Sequence, residues 1–257
     1  MRVGVIGAAG RMGATVCAAV VGADDIELVA AVDPAGVGRT ATPGLEIVAD
    51  LDALTAAGAE IAVDFTGPGA ATVNAVWCAE HAIHAVIGTT GIDEAGLAAL
   101  SHAFPSAGRI GCLVAPNFAI GAVLMMRLAE LASPWFETAE IIELHHDAKA
   151  DAPSGTALLT ATRMAAASDG WGADPTQVVV VPGARGGSGP GGIHIHSVRL
   201  RGLVAHQEVL LGTSGQSLTI RHDSYDRQSF MPGVLLAIRS VGQRPGLTVG
   251  LEAALGI

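Results

Sequence analysis

The chain has 257 residues, 50% of them hydrophobic and 15% charged, with a formal net charge of −10. That length carries one large domain or two modest ones with a real core, and so low a charge content excludes a disordered chain. The acidic balance argues against nucleic acid and anionic membrane surfaces as partners.

Aromatics make up only 4%, so burial rests on Ala, Val, Leu and Ile, as where helices pack on a parallel sheet. Cys17, Cys78 and Cys112 are far apart and odd in number, which reads as a reduced, cytoplasmic protein. Arg2 and the apolar residues after it loosely mimic a secretion signal, but Gly4, Gly7, Gly10, Gly13 and Arg11 interrupt the apolar segment. No run approaches the ~18 apolar residues of a membrane span.

Arg2–Gly7 reads as a buried strand, Gly7-Ala-Ala-Gly-Arg-Met-Gly13 as a turn, and the residues through Val21 as a helix. Glu27–Asp33 is a second strand ending in an acid. This βαβ opening predicts a doubly wound parallel sheet. Gly36–Thr42 reads as a loop. A strand over Ile61–Phe65, a helix near Ala70–His81, a strand over Ala85–Ile87, a helix over Glu94–Ala103 and a strand over Arg109–Val114 follow. Ile120–Ala132 is a helix bridging to a second region. There, Thr138–His146 and Gln177–Val181 read as strands, and Thr156–Ala167 as a helix. Ala184–Gly192 reads as a mobile glycine-rich loop. Ile193–Leu200, Gln207–Leu211 and Leu218–His222 alternate with period two and predict a sheet with antiparallel pairs. Met231–Val241 is a last helix. The expected organisation is a domain over 1–118, onto which 225–257 packs back, and a second domain over 119–224.

The glycine loop follows a strand and opens a helix, the setting in which backbone approaches a pyrophosphate at a helix N-terminus. Alone it is a weak signal. Asp33 at the end of the next strand strengthens it, because a carboxylate there accepts from an adenosine ribose. Its charge favours NAD over NADP, while Arg11 and Arg39 lie near enough in sequence to keep dual use open. Gly88-Thr-Thr-Gly91 and Ala115-Pro-Asn-Phe118 each follow a strand. In an open parallel sheet such loops line the ligand crevice.

Glu143-Leu-His-His-Asp-Ala-Lys149 gathers proton-carrying groups, and Pro153-Ser-Gly-Thr156 opens a helix with Ser154 or Thr156 as its cap. Proton donors beside a helix N-terminus suit a small acidic substrate that is protonated as it reacts. A metal set of His145, His146 and Asp147 is disfavoured by Lys149 and by the lack of a His-Glu-x-x-His spacing. His194 and His196 share one strand face and read as structural. Arg199 and Arg201 are candidates to neutralise a diacid.

With Asp64-Phe-Thr66 and Pro116-Asn-Phe118, these motifs resemble the dihydrodipicolinate reductase (4-hydroxy-tetrahydrodipicolinate reductase) family of bacterial lysine biosynthesis. The likeness runs nearly end to end, through Gly202–Glu208 and Arg221–Phe230. The resemblance implies a Rossmann-type domain plus an α+β substrate-binding and oligomerisation domain with a mixed sheet. It implies an NADH- or NADPH-dependent reduction of 4-hydroxy-tetrahydrodipicolinate with loss of water, and a cytoplasmic homotetramer. Carried over by motif, His145 is the proton donor and acceptor and Lys149 the proton donor. His146, Gly155 and Thr156 bind substrate. Gly7, Ala8, Ala9, Gly10, Arg11, Met12, Asp33, Gly88, Thr89, Thr90, Ala115, Pro116, Asn117 and Phe118 bind cofactor. Gly67 replaces a histidine common in the family, and Ala9 replaces a lysine found in some members. The rival readings are another Rossmann-fold dehydrogenase acting on a small amino or keto acid, a nucleotide-sensing regulator without turnover, and a metal-dependent hydrolase.

Overall fold

The computed structural model describes residues 1–257. In chain order it begins β1 (Arg2–Ile6), α1 (Arg11–Val21), β2 (Glu27–Val32), β3 (Thr40–Thr42), β4 (Leu45–Glu46), α2 (Asp52–Ala56), β5 (Ile61–Asp64) and α3 (Pro68–Glu80). Next come β6 (His84–Ile87), α4 (Glu94–Ala103), β7 (Gly111–Val114), α5 (Ile120–Ala132), β8 (Thr138–His145), α6 (Gly155–Ala167) and β9 (Gly187–Ser188). It closes with β10 (His194–Arg199), β11 (Ala205–Thr213), β12 (Gln216–Ser224), α7 (Met231–Val241), β13 (Gly246–Val249) and α8 (Glu252–Leu255). Two compact units emerge: Met1–Ile120 with Arg227–Ile257, and Gly121–Asp226. No helix is long and apolar enough to cross a membrane.

The first unit is built on a six-stranded parallel sheet of order β13-β7-β6-β5-β1-β2. Its central strands are apolar on both faces: Val3, Val5, Val63, Val86 and Ile87 are fully buried, as expected where helices cover both sides. Helix α1 buries Gly13, Val16, Cys17 and Val20, the spacing of one helical face. All three cysteines are free and buried. Burial pushes the Cys17 thiol up to about 11 and Cys78 to about 12, so neither is a reactive thiolate. The order of strands reverses beside β1, between β2 and β5. The loops leaving β1 and β5 therefore flank the crevice where α/β sheets bind ligands.

The second unit carries a five-stranded mixed sheet of order β12-β11-β8-β10-β9, with β8 and β10 parallel and the other pairs antiparallel. Period two puts Ile141, Glu143 and His145 on one face of β8. Helix α6 is tied to that sheet by Gln207 Nε2, which donates to Thr160 Oγ1 at 2.8 Å. Buried Ala157, Ala161 and Met164 line the inner side of the helix.

Three local expectations are corrected. Gln177–Val181 forms no strand: Val178 and Val180 stand 75% and 86% exposed, and no strand of the sheet pairs with them. Valine favours extended backbone, but without a ladder partner that preference does not make a strand. Ala184–Gly192 is not a plain loop, since β9 pairs with β10 and Pro190–Gly192 forms a 3-10 turn. Gly36–Thr42 contains β3, which pairs with β4 in a small hairpin. In addition, β13, which the sequence reading did not name, extends the parallel sheet past β7.

Candidate active site

In the first unit, Gly7 adopts φ +81° and donates to Val32 O at 2.8 Å, which folds the glycine loop over the end of β2. A Cβ on Gly13 would stand 2.0 Å from the Gly7 carbonyl oxygen, so only glycine lets α1 start this close to the turn. No side chain caps α1 and its first turn holds no acid. Its leading N–H groups therefore face outward at the positive end of the helix, a seat for a pyrophosphate. Asp33 closes the loop from the other side, accepting from Ala9 N at 3.0 Å and Ala35 N at 2.9 Å.

Three further loops meet at the carboxyl ends of β5, β6 and β7. Buried Asp64 accepts from Thr66 N at 2.8 Å, Thr66 Oγ1 at 2.6 Å and Asn74 Nδ2 at 2.7 Å. Burial pushes its carboxyl up, and those three bonds oppose the shift. The turn fixed in this way lays the Phe65 ring on Gly88, where a Cβ would come within 2.1 Å of it. The same ring packs at 5.8 Å, centroid to centroid, against Phe118. Phe65 thus ties together the loops that hold Gly88–Thr90 and Ala115–Phe118. Thr89 is buried with its Oγ1 lacking a partner, and the Asn117 side chain accepts from Ala119 N at 2.9 Å. An orphaned hydroxyl among these loops fits a polar cofactor group. Gly67 caps α3, and nothing lies within 4 Å of where its side chain would be.

The second unit holds the proton-carrying groups. Strand β8 ends at His145, which is half-buried, and His146 beyond it is exposed. Nδ1 of His145 lies 2.5 Å from Oε2 of Glu143, whose side chain is fully buried. Glu143 is also forked by Arg199, through Nη1 at 2.9 Å and Nη2 at 2.8 Å, and accepts from Ser154 N at 3.1 Å and from Ser197. Burial acts to raise the Glu143 carboxyl, but the bonds from Arg199, Ser197 and His145 outweigh it and hold the group below the usual carboxylate range. For His145, burial is the largest influence and pushes the imidazole down. Glu143 pulls it up, and the charges of Lys149 and Arg199 push it down again, so the ring is neutral near pH 7.

Lys149 is paired with Asp151 at 2.7 and 2.9 Å. Ser154 caps α6, its Oγ accepting from Ala157 N at 3.2 Å, and Gly155 and Thr156 open the helix. Arg199 also donates to Asp151 O at 2.6 Å and to Val198 O at 2.9 Å, with its Nε buried and unpartnered, and Arg201 pairs with Asp147 at 2.9 Å while 91% exposed. Both terminal nitrogens of Arg199 thus serve Glu143, a pairing the sequence reading as a diacid ligand did not foresee. His196 meets Glu140 at 2.5 Å and His194 meets Asp174 at 3.3 Å. No three His, Cys, Asp or Glu side chains are grouped to hold a metal ion. Sequence reasoning gave no role to Glu143, Asp64 or Phe65. For Glu143 the available signal was its i, i+2 spacing to His145 on one strand.

Comparison with known proteins places these features. Residues 1–118 match the family described as dihydrodipicolinate reductase, N-terminus, and residues 121–255 match its C-terminus. A 4-hydroxy-tetrahydrodipicolinate reductase of Cutibacterium acnes is 52% identical over 259 residues, covering 100% of this chain and 99% of the relative. One from Nocardia farcinica is 52% identical over 260 residues with the same coverage. The solved structure of a dipicolinate-bound dihydrodipicolinate reductase from Paenisporosarcina sp. TG-14 superposes with a TM-score of 0.90 at 40% identity, covering 98% of each chain.

Proposed function

The chain belongs to the dihydrodipicolinate reductase family, and on that premise we propose that His145 and Lys149 carry the protons of its reaction while the start of α6 holds the substrate. The chain is an oxidoreductase of lysine and diaminopimelate biosynthesis that reduces 4-hydroxy-tetrahydrodipicolinate. The observation that carries the residue assignment is the Glu143-bonded imidazole close enough to Lys149 to feel its charge, with the same Glu143 holding the Ser154 N–H at the start of α6.

The substrate is a cyclic imine with two carboxylates and a ring hydroxyl. Loss of water removes that hydroxyl together with a proton from the neighbouring ring carbon, and leaves a conjugated imine. The dinucleotide, when bound, supplies the hydride that reduces this system. A neutral His145 accepts the proton that leaves carbon and passes it to the departing hydroxyl, which leaves as water. Lys149 donates toward the ring nitrogen, where the electron pair collects, and each proton-transfer role is worth about 10²–10⁴ in rate. Backbone N–H groups of Gly155 and Thr156 hold one carboxylate, and His146 contacts the other end of the diacid. The dipicolinate in the Paenisporosarcina structure, itself a ring with two carboxylates, supports this reading.

The first unit carries the dinucleotide, on Gly7–Met12, Asp33, Gly88–Thr90 and Ala115–Phe118, and the second carries the substrate. Either NADH or NADPH serves, with Asp33 tilting the balance to NADH. The second unit also mediates self-association into a homotetramer. In support, the face of its sheet away from Glu143 leaves Ile142, Leu144, Val198 and Leu210 half-exposed. The free, unactivated thiols fit a cytoplasmic enzyme.

The test is oxidation of NADH and NADPH with freshly made cyclic substrate, set against simple amino and keto acids. Turnover with the cyclic substrate alone is expected. His145→Ala and Lys149→Ala should each lower kcat by about 10² or more. Values near those of the unaltered enzyme would end the assignment.

A further inference from the structure

His145 offers a substrate only one of its two ring nitrogens, and a group that has no substrate contact of its own decides which. Glu143 lies two residues before it on the same face of β8 and is fully buried. Its carboxylate holds four partners: the Arg199 fork, Ser197, the Ser154 N–H and His145 Nδ1. An ionised carboxylate accepts and cannot donate. The proton in the 2.5 Å contact therefore sits on Nδ1 of His145. The neutral ring then has a bare Nε2.

We propose that Glu143 is a positioning residue: it fixes His145 as the Nδ1–H tautomer, makes Nε2 the reactive nitrogen, and by the same carboxylate pins the Ser154 N–H at the mouth of α6. One buried group would then set both the proton acceptor and the carboxylate-binding turn. Arg199 serves this device by keeping Glu143 ionised where burial would otherwise neutralise it. This inference rests on the reading of His145 and α6 given above, but it concerns a property of the resting enzyme that exists before any substrate is added.

The two oxygens divide the work. Oε2 faces His145 and the Nη1 arm of Arg199, and Oε1 takes the Ser154 N–H and the Nη2 arm. In Glu143→Gln the amide oxygen retains the Ser154 N–H and the Nη2 arm of Arg199, the Nη1 arm loses its acceptor, and the amide nitrogen turns to His145. That nitrogen donates, so Nδ1 must accept and the proton moves to Nε2. The α6 turn stays in place while the wrong nitrogen is presented.

The direct measurement is long-range 1H–15N correlation on full-length enzyme labelled with 15N-histidine at pH 7.5, with His145 assigned by its loss in His145→Asn. The unaltered enzyme should show a protonated Nδ1 and an unprotonated Nε2. Glu143→Gln should show the reverse, with kcat down about 10²-fold and KM for the cyclic substrate within about threefold. An Nε2–H tautomer in the unaltered enzyme overturns the inference, whether or not the variant folds, as does a folded Glu143→Gln with unchanged kcat. If the unaltered enzyme shows the expected tautomer yet fails to turn over the cyclic substrate, the functional reading falls instead.

Discussion

Ala9 donates its backbone N–H to Oδ2 of Asp33 at 3.0 Å, which joins the glycine loop to the end of β2 through one carboxylate. Oδ1 is engaged by Ala35 N at 2.9 Å. A carboxylate has about four lone-pair sites, so two remain for ribose hydroxyls. A 2′-phosphate there would meet a like charge, and two unit charges 4 Å apart repel by roughly 4 kcal/mol at the effective dielectric of a protein surface. Asp33→Asn removes the charge and keeps one oxygen acceptor, so one of the two backbone contacts, to Ala9 N or Ala35 N, is lost. It should raise the ratio of kcat/KM for NADPH over NADH by about tenfold or more, equal to about 1.4 kcal/mol. Asp33→Ala also releases the loop and should weaken both cofactors. Initial rates with each cofactor decide the matter, and an unchanged ratio in Asp33→Asn would remove this residue from cofactor selection.

Two glycines at helix starts should behave in opposite ways. A Cβ on Gly13 would sit 2.0 Å from the Gly7 carbonyl, against backbone that cannot rotate aside. Gly13→Ala is therefore expected to lower stability by about 1–3 kcal/mol, the usual range for overpacking, and to weaken dinucleotide binding. Calorimetry with and without NADH reads both effects.

At Gly155 nothing lies within 4 Å of the added methyl, and its φ is not in the left-handed region. Gly155→Ala should fold normally and gain roughly 0.4–1 kcal/mol from a stiffer unfolded chain. The methyl nevertheless stands where a substrate carboxylate is proposed to rest. KM for the cyclic substrate should rise about tenfold, with a smaller change in kcat. A KM equal to that of the unaltered enzyme would mean that the diacid does not bind at the start of α6.

The parallel half of the fold could be read from sequence because its signals are local. Val3 and Val5 in a short apolar run, a glycine turn, and Val16, Cys17 and Val20 at helical spacing define a strand, a turn and a helix without reference to anything distant. Helices α4, α5 and α7 begin and end where the pattern puts them. What was not legible depends on partners far along the chain. Gly246–Val249 becomes a strand because β7 offers an edge, whereas the four valines at Val178–Val181 stay exposed because no edge reaches them. The same holds at the site. The motif named His145 and Lys149, but Arg199 reaches Glu143 from another strand, and only the parallel pairing of β8 with β10 makes that contact. A charged residue in a sequence shows its chemistry and not its partner, so Arg199 read as a ligand for a diacid.

His84 makes the stability of the first unit depend on pH. Gly111 donates its N–H to Nδ1 of His84 at 2.9 Å, linking β6 to the start of β7. That nitrogen must be bare to accept, and protonating it would set two protons against each other. Burial also lowers the His84 pKa, with Glu60 opposing, so the folded state binds the proton less readily than the unfolded chain. A depressed folded pKa gives stability that is fully present above the unfolded value of about 6.5 and is lost as pH falls through the folded value. His145 and His222 are shifted down by burial as well and add to the same loss. Carboxylates held low, such as Asp25 at about 2, titrate far below this window and do not mask it. The melting temperature should therefore fall between pH 7 and pH 5. His84→Asn retains an acceptor where Nδ1 stood and has nothing to protonate, so its melting temperature should fall less over the same range. A variant with the same pH slope as the unaltered enzyme would place the titration elsewhere.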